Sequence, residues 1–369
     1  MLRHSQKNIE MEIGILTFHS AMNFGAVLQC HGLYTTLCEL GYDVSVVDYR
    51  PLYLYTPKQT LGIRNSILHP RSFLKALPFV REYNAHYERF MHFMKNNWKM
   101  TYPIYDSKEL LSLVNKFDYI IVGSDQIWNP VHNGKDYVWF GSKDTKNKWI
   151  TYAASAGNSD FEIDYQKVIE RNLSNFKSIS VRETKLKNVL NRISHSYSSI
   201  PVVLDPTLLA SPSTWSKWYK PIIKGDYIVT YQARSNDNTF RIAEHISNRL
   251  GIKKIITLDS QKNVKALGYK PFPVSPSEFV SAIRNAKFLV TTSFHGTAFA
   301  IITGCPFFTL RLNDGKDERS ENLLKLLGLE NRMVDCNTEI DTVPIETNDI
   351  HDRLEELRTT SIHFLKNAI

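Results

Sequence analysis

The chain has 369 residues, 43% of them hydrophobic and 12% aromatic, with a formal net charge of +8. That length carries two ordinary domains with a core each, and no apolar run nears the roughly 20 residues of a membrane helix, so a globular protein without membrane spans is expected. The polar opening MLRHSQKNIE, and four cysteines (Cys30, Cys38, Cys305, Cys336) without CxxC or Cys/His ligand spacing, predict no secretory signal and reduced thiols in a cytoplasm.

EIGILTF (12–18) has a strand pattern, and behind it Ala26, Cys30, Leu33, Leu37 and Leu40 recur at steps of four and three, one face of a helix that Gly41 ends. YDVSVVDYR follows as a second strand stopped by Pro51, so residues 12–50 read as one βαβ unit. Residues 50–99 hold nine Lys/Arg against Glu82 and Glu88, which is +7 of the whole charge, interleaved with Tyr53, Tyr55, Phe73, Phe79, Tyr83, Tyr87, Phe90, Phe93 and Trp98. Two readings of this segment stay open. It is a helical connector with inward aromatics and solvated charges, or it meets an anionic membrane surface, a phosphorylated acceptor or single-stranded nucleic acid.

Further strands are predicted at FDYIIVG (117–123), WITYAASA (149–156), SISV (178–181) and PVVL (201–204), and ASPSTWSKWYKPIIKG (210–225) reads as a linker. The alternation then restarts with DYIVTYQA, a helix from about Asn238 to Leu250, KKIITLD, a helix opened by Ser275 or Ser277, and KFLVTT. Alternating strands and helices predict parallel sheets, hence an α/β fold of two doubly wound, Rossmann-like domains facing a cleft. The expected boundaries are 11–210 for the first domain, with a basic, aromatic helical insertion at about 51–115, then a linker at 211–225 and a second domain at 226–369. The C-terminal helix is expected to pack back on the first domain.

In such sheets ligands bind beyond the carboxyl ends of the strands. Asn23 and Gly25 lie at the first strand–helix turn, without the GxGxxG spacing of a dinucleotide site. GSDQIWN presents Ser124, Asp125, Gln126 and Trp128 in quick succession, and a carboxylate, an amide and an indole together suit a hydroxyl-rich ligand, although Asp125 also fits a helix cap. Arg182 and Glu183 in SVRETK, and Asp205 in LDPT, stand at other strand ends. In TTSFHGTAFA, Ser293 and His295 sit where a helix begins and Gly296 permits close approach; position alone leaves His295 open between a ligand-facing role and a cap or core role. Scattered histidines without HxH or HExxH spacing predict no metal site, and the run Asp314, Asp317, Glu318, Glu321 reads as a loop and helix start.

NFGAVLQ (23–29), FDYIIVGSDQIWN (117–129), YAASAG (152–157), ISVRE (179–183), VLDPTLL (203–209), SFHGTAFA (293–300) and ERSENLLKLLGL (318–329), in this order, resemble the polysaccharide pyruvyltransferases over nearly the whole chain. The resemblance implies an enzyme that moves the pyruvyl group of phosphoenolpyruvate onto two hydroxyls of a sugar, in a polysaccharide or its lipid-linked precursor, forming a cyclic ketal and releasing phosphate. It further implies a GT-B-like fold and no cofactor beyond phosphoenolpyruvate as co-substrate. On it His295 falls on the catalytic histidine, the general acid, and Arg182 on a donor-holding arginine. One departure stands out: some members read Arg-Leu-His where this chain has Ser293, Phe294 and His295. A second phosphate-binding cation must then come from Arg319, Arg311, Arg234 or Lys316, unless the donor is held differently.

The donor side is therefore assigned to Arg182, Ser293, Gly296 and Arg319, and the acceptor side to Asn23, Gln126, Trp128 and Glu183, with Asp125 or Glu183 orienting or deprotonating the acceptor hydroxyl. If the acceptor is lipid-linked, residues 50–99 are expected to touch an anionic membrane; nucleic acid is not expected. A GT-B glycosyltransferase using a nucleotide sugar and a non-catalytic scaffold in polysaccharide assembly are the alternatives.

Overall fold

A computed structural model describes residues 11–54, 80–145, 148–157, 161–194, 197–258, 271–335 and 347–369. The first sheet joins β1 (Glu12–Leu16), β2 (Asp43–Val46), β3 (Tyr119–Val122), β4 (Lys148–Thr151) and β5 (Phe176–Ser178) in the order β2-β1-β3-β4-β5. The second joins β6 (Ile228–Tyr231), β7 (Ile255–Thr257), β8 (Phe288–Thr291), β9 (Phe307–Leu310) and β10 (Met333–Val334) in the order β10-β9-β8-β6-β7. All the strand pairs are parallel. Both orders reverse direction once, between β1 and β3 and between β6 and β8, and these switch points are where such sheets open crevices for ligands. The architecture is thus two doubly wound α/β domains, whose inner strands β3, β6, β8 and β9 are fully buried because helices cover both faces.

SISV and PVVL are shorter than predicted: β5 ends at Ser178, and Val181 makes isolated bridges to Ala154 and Val202. That irregular stretch leads straight into Arg182. The segment 210–225 is no free linker either. It forms a short helix, Pro212–Ser216, whose Trp215 is fully buried and donates its indole N–H to the Thr207 carbonyl at 3.2 Å.

The helix Phe24–Glu39 joins the two halves. Phe24 stacks on Phe279 with ring centroids 4.5 Å apart and meets Tyr231 edge-on at 5.9 Å. Two turns on, a β-carbon at Gly32 would overlap the Pro206 carbonyl, so glycine there lets the helix lie against the turn that carries Asp205. The resulting apolar cluster runs from Ile13 and Val27 in the first domain to Phe279, Phe299 and Leu324 in the second. The C-terminal helix Thr347–Ala368 crosses back onto the first domain, where Ser361 Oγ accepts the Leu204 N–H at 3.0 Å and Arg358 Nε donates to the Leu208 carbonyl at 3.1 Å.

The described part of the basic segment is built into the fold. In the helix Val80–Asn97, Phe90, Phe93 and Met94 are buried, as is Trp98 beyond it. Arg50 forks onto Asp48 at 2.6 and 2.7 Å, and Lys99 pairs with Asp43 at 2.7 Å. These aromatics therefore belong to the core. Tyr55, Lys58, Arg64, Arg71, Phe73, Lys75 and Phe79 lie outside the described residues, as does Cys336. Among the described residues no helix is long and apolar enough to cross a membrane.

Candidate active site

Four strand ends and the start of one helix converge where the crevices meet. From the first domain come Ser124 and Asp125 after β3, Arg182 and Glu183 after Val181, and Asp205; from the second come Ser293 and His295 after β8, and Arg319 in the helix Glu318–Leu327.

The centre is a buried chain of charges. Arg182 Nε donates to Glu183 Oε1 at 3.1 Å and its Nη1 to Asp205 Oδ2 at 2.6 Å, with side-chain exposure of only 3%. Asp205 Oδ1 accepts from the N–H and hydroxyl of Thr207 at 2.9 and 2.7 Å. Burial alone would push the Asp205 carboxyl up, but the His295 imidazole, the Arg182 guanidinium and the Thr207 N–H outweigh it and hold it well below the usual carboxylate range. His295 Nε2 lies 3.6 Å from Asp205 Oδ2, an ion-pair distance rather than a hydrogen bond, and is buried with no hydrogen-bond partner among the described residues. The imidazole thus faces a fixed anion across a gap that no hydrogen bond closes.

Phe294 separates two guanidinium groups, with Arg182 Cζ 4.7 Å from its ring centroid and Arg319 Cζ 5.9 Å. Arg182 Nη2 and Arg319 Nε are both buried without hydrogen-bond partners among the described residues. Burial, and then the like charge of Arg182, lower the Arg319 pKa against the opposing pull of Glu183 and Asp125. Two close, incompletely paired cations are a site short of an anion. Of the other candidate cations, Arg234 binds Asp314 and, at 2.6 Å, Asp317, and Arg311 binds Glu321 at 3.0 Å.

Asp125 is half-buried and left-handed, at φ 65°, a conformation that aspartate tolerates and that recurs where a side chain must be aimed. The peptide before Ser124 is cis. Beneath it Gln29, fully buried, accepts the Ser124 N–H at 3.1 Å and donates to Thr17 Oγ1 at 2.8 Å and the Ala26 carbonyl at 2.9 Å. Ser124 Oγ in turn lies 3.5 Å from Arg182 Nη1.

Several assigned roles change. Trp128 is fully buried, stacked on Phe140, with its indole N–H given to the Trp139 carbonyl at 3.0 Å, so it is core and not an acceptor platform. Glu183 is buried and its Oε1 accepts from Arg182 and, at 2.6 Å, from Ser155 Oγ; it holds the guanidinium instead of facing an acceptor. Gly296 faces its own strand, since a β-carbon there would overlap the Thr291 hydroxyl, so its smallness serves helix–sheet packing. Asn23 caps the helix Phe24–Glu39, Oδ1 accepting the Ala26 N–H at 2.8 Å. Ser293 occupies the N-cap of the helix Phe294–Thr303 without a side-chain capping bond. Gln126, half-buried beside Asp125, accepts from Asn129 Nδ2 at 2.7 Å.

Four residues carry more than the sequence assigned them: Asp205, Thr207, Gln29 and Gly25. A β-carbon at Gly25 would overlap the imidazole of His295, so the histidine seats against the first turn of the other domain's helix. The signals were the fixed words NFGAVLQ and DPT, whose partners lie too far along the chain for spacing to reveal. Among the described residues no group of three His, Cys, Asp or Glu side chains is placed to hold a metal ion.

Among curated proteins none matches this chain in sequence. Among solved structures it is similar to a protein described as a UDP-N-acetylglucosamine 2-epimerase from Listeria monocytogenes, with TM-score 0.51 and 12% identity over 97% of this chain and 88% of that one. It is also similar to the UDP-GlcNAc 2-epimerase of Methanocaldococcus jannaschii, with TM-score 0.49 and 15% identity over 94% and 92%. At such identities the likeness extends to the two-domain GT-B-like fold and no further. Residues 23–314 match the polysaccharide pyruvyl transferase family, a span that contains β2 to β9 and the charge chain from Arg182 and Glu183 through Asp205 to His295, and the protein belongs to that family.

Proposed function

We propose that the protein transfers the pyruvyl group of phosphoenolpyruvate to two hydroxyls of a sugar acceptor as a cyclic ketal. The observation that carries this reading is the pair of buried, partly unpartnered guanidinium groups flanking Phe294 beside the His295–Asp205 pair. Phosphoenolpyruvate bears a phosphate and a carboxylate on a three-carbon unit, so it needs two cations and a proton donor within a few ångströms. Arg319 supplies the cation that Ser293 does not.

In this reading His295 gives a proton to the methylene carbon, the first hydroxyl oxygen bonds to C2, and Asp125 takes that hydroxyl's proton. The C2–O bond to phosphate then breaks, the phosphate remaining on the arginines. The second hydroxyl adds to the oxocarbenium carbon, and its proton leaves with the phosphate. One phosphoenolpyruvate and two hydroxyls thus become one ketal and one phosphate. Asp205, an anion held by Arg182 and Thr207, steadies positive charge on His295.

Thermal unfolding with phosphoenolpyruvate against a panel of nucleotide sugars tests the reading without knowledge of the acceptor. Stabilisation by phosphoenolpyruvate is expected, with affinity weakened roughly tenfold or more in Arg319→Gln through loss of a charge-assisted hydrogen bond. Stabilisation by a nucleotide sugar alone would overturn it.

A further inference from the structure

Next to the arginines lies a pocket of about 20 Å³, walled by Leu208, Leu323, Leu326 and Phe294, with Arg182, Glu183, Asp205, Arg319 and Asn322 at its polar side. Its free volume suits a group of one or two heavy atoms. Leu326 is 43% exposed, an uncovered leucine on a helix whose neighbouring Leu323 and Leu327 are buried. Asp205, on the pocket wall, is also the residue 3.6 Å from His295 Nε2. A ligand held by both guanidiniums therefore turns its uncharged end toward aliphatic carbon, at the flank of the proton donor.

We propose that this pocket is a specificity subsite that receives the methylene of phosphoenolpyruvate, and with it the methyl group of the product, so that the donor is selected for an unsubstituted third carbon. The inference rests on the donor assignment above. It explains why aliphatic side chains line one wall of a site otherwise built from charges: a CH₂ group carries no hydrogen-bonding capacity, and water left beside it could add to the oxocarbenium carbon in place of a hydroxyl.

The test compares phosphoenolpyruvate with its 3-methyl analogue, (Z)-2-phosphoenolbutyrate, by calorimetric titration of the full-length protein and of Leu323→Ala and Leu326→Ala. One methylene too many in an apolar pocket costs roughly 10- to 200-fold. The unaltered protein is expected to bind the analogue at least tenfold more weakly, and the alanine variants to narrow that ratio to within about threefold. Leu326→Ala is the safer variant, since its side chain is partly exposed, and its melting temperature confirms folding. Equal binding of both donors by the unaltered protein, or a ratio unmoved in both variants, overturns the subsite while leaving the donor assignment standing. Failure of the unaltered protein to bind phosphoenolpyruvate at all would instead sink that assignment.

Discussion

The two sheets share one strand order, yet the third strand of each ends differently. β3 runs into a loop that turns through a cis peptide and sets Asp125 at positive φ, whereas β8 runs into a helix whose first turn carries His295. The same topological place thus presents a carboxylate in one domain and an imidazole in the other. The strand order supplies only the address; the local chain after the strand supplies the chemistry. Cations follow the same division, with Arg182 coming from the first domain and Arg319 from the second, so neither half holds a complete site.

Removing the charge that links the halves has the largest expected effect. Asp205→Asn leaves Arg182 buried with one carboxylate and His295 facing an amide, and a loss of about 3 kcal/mol is expected in urea unfolding at neutral pH. Because the folded carboxyl titrates below its unfolded value, this contribution is present above pH ~4 and lost as pH falls through the folded pKa. Parity of variant and unaltered protein at pH 7 would show that the charge chain does not hold the halves together.

Sharpening the comparison on the other side, Gly25→Ala pushes a β-carbon into the imidazole of His295 from the facing domain. Displacement of an acid by about 1 Å costs on the order of 100-fold. Phosphate release should fall by that factor while apparent affinity for phosphoenolpyruvate changes little, and an unchanged rate would mean that His295 is not seated by the first domain.

The effect that is absent at neutral pH lies away from the site. His31, on the same helix as Gly25, accepts the Trp98 indole N–H at 3.1 Å within a cluster of Phe93, Trp215 and Trp218. Burial, and then the charge of Lys217, lower its pKa to about 3. The unfolded chain binds this proton first, so stability declines as pH drops from about 6.5 toward 3, by at most about 1.4 kcal/mol per unit. His31→Gln should flatten that slope in pH-dependent unfolding; an identical slope would place the acid sensitivity in other groups.

Most of the fold could be read from periodicity, because buried parallel strands such as YIIV and FLVT are short apolar runs closed by turn residues. The helix over 238–250 matched its expected span, and Ser275 opens the next helix through a capping box with Glu278. β10, two residues long, carries too little pattern to detect. Trp128 misled because an indole near a carboxylate looks the same in sequence whether it points to a cleft or to Phe140. The meeting of Gly25 with His295, 270 positions apart, is a property of packing alone.

The shared helix also governs how the chain comes into being. By the time β5 has left a ribosome the first sheet has all its strands, but the face that the helix Phe24–Glu39 turns toward Pro206, Phe279 and His295 has nothing to cover it. The turn carrying Leu204 and Leu208, on which this helix packs, is held by Ser361 and Arg358, which emerge only with the helix Thr347–Ala368. The nascent first half therefore exposes apolar surface of the kind that chaperones hold, and its full native contacts wait on the helix Thr347–Ala368.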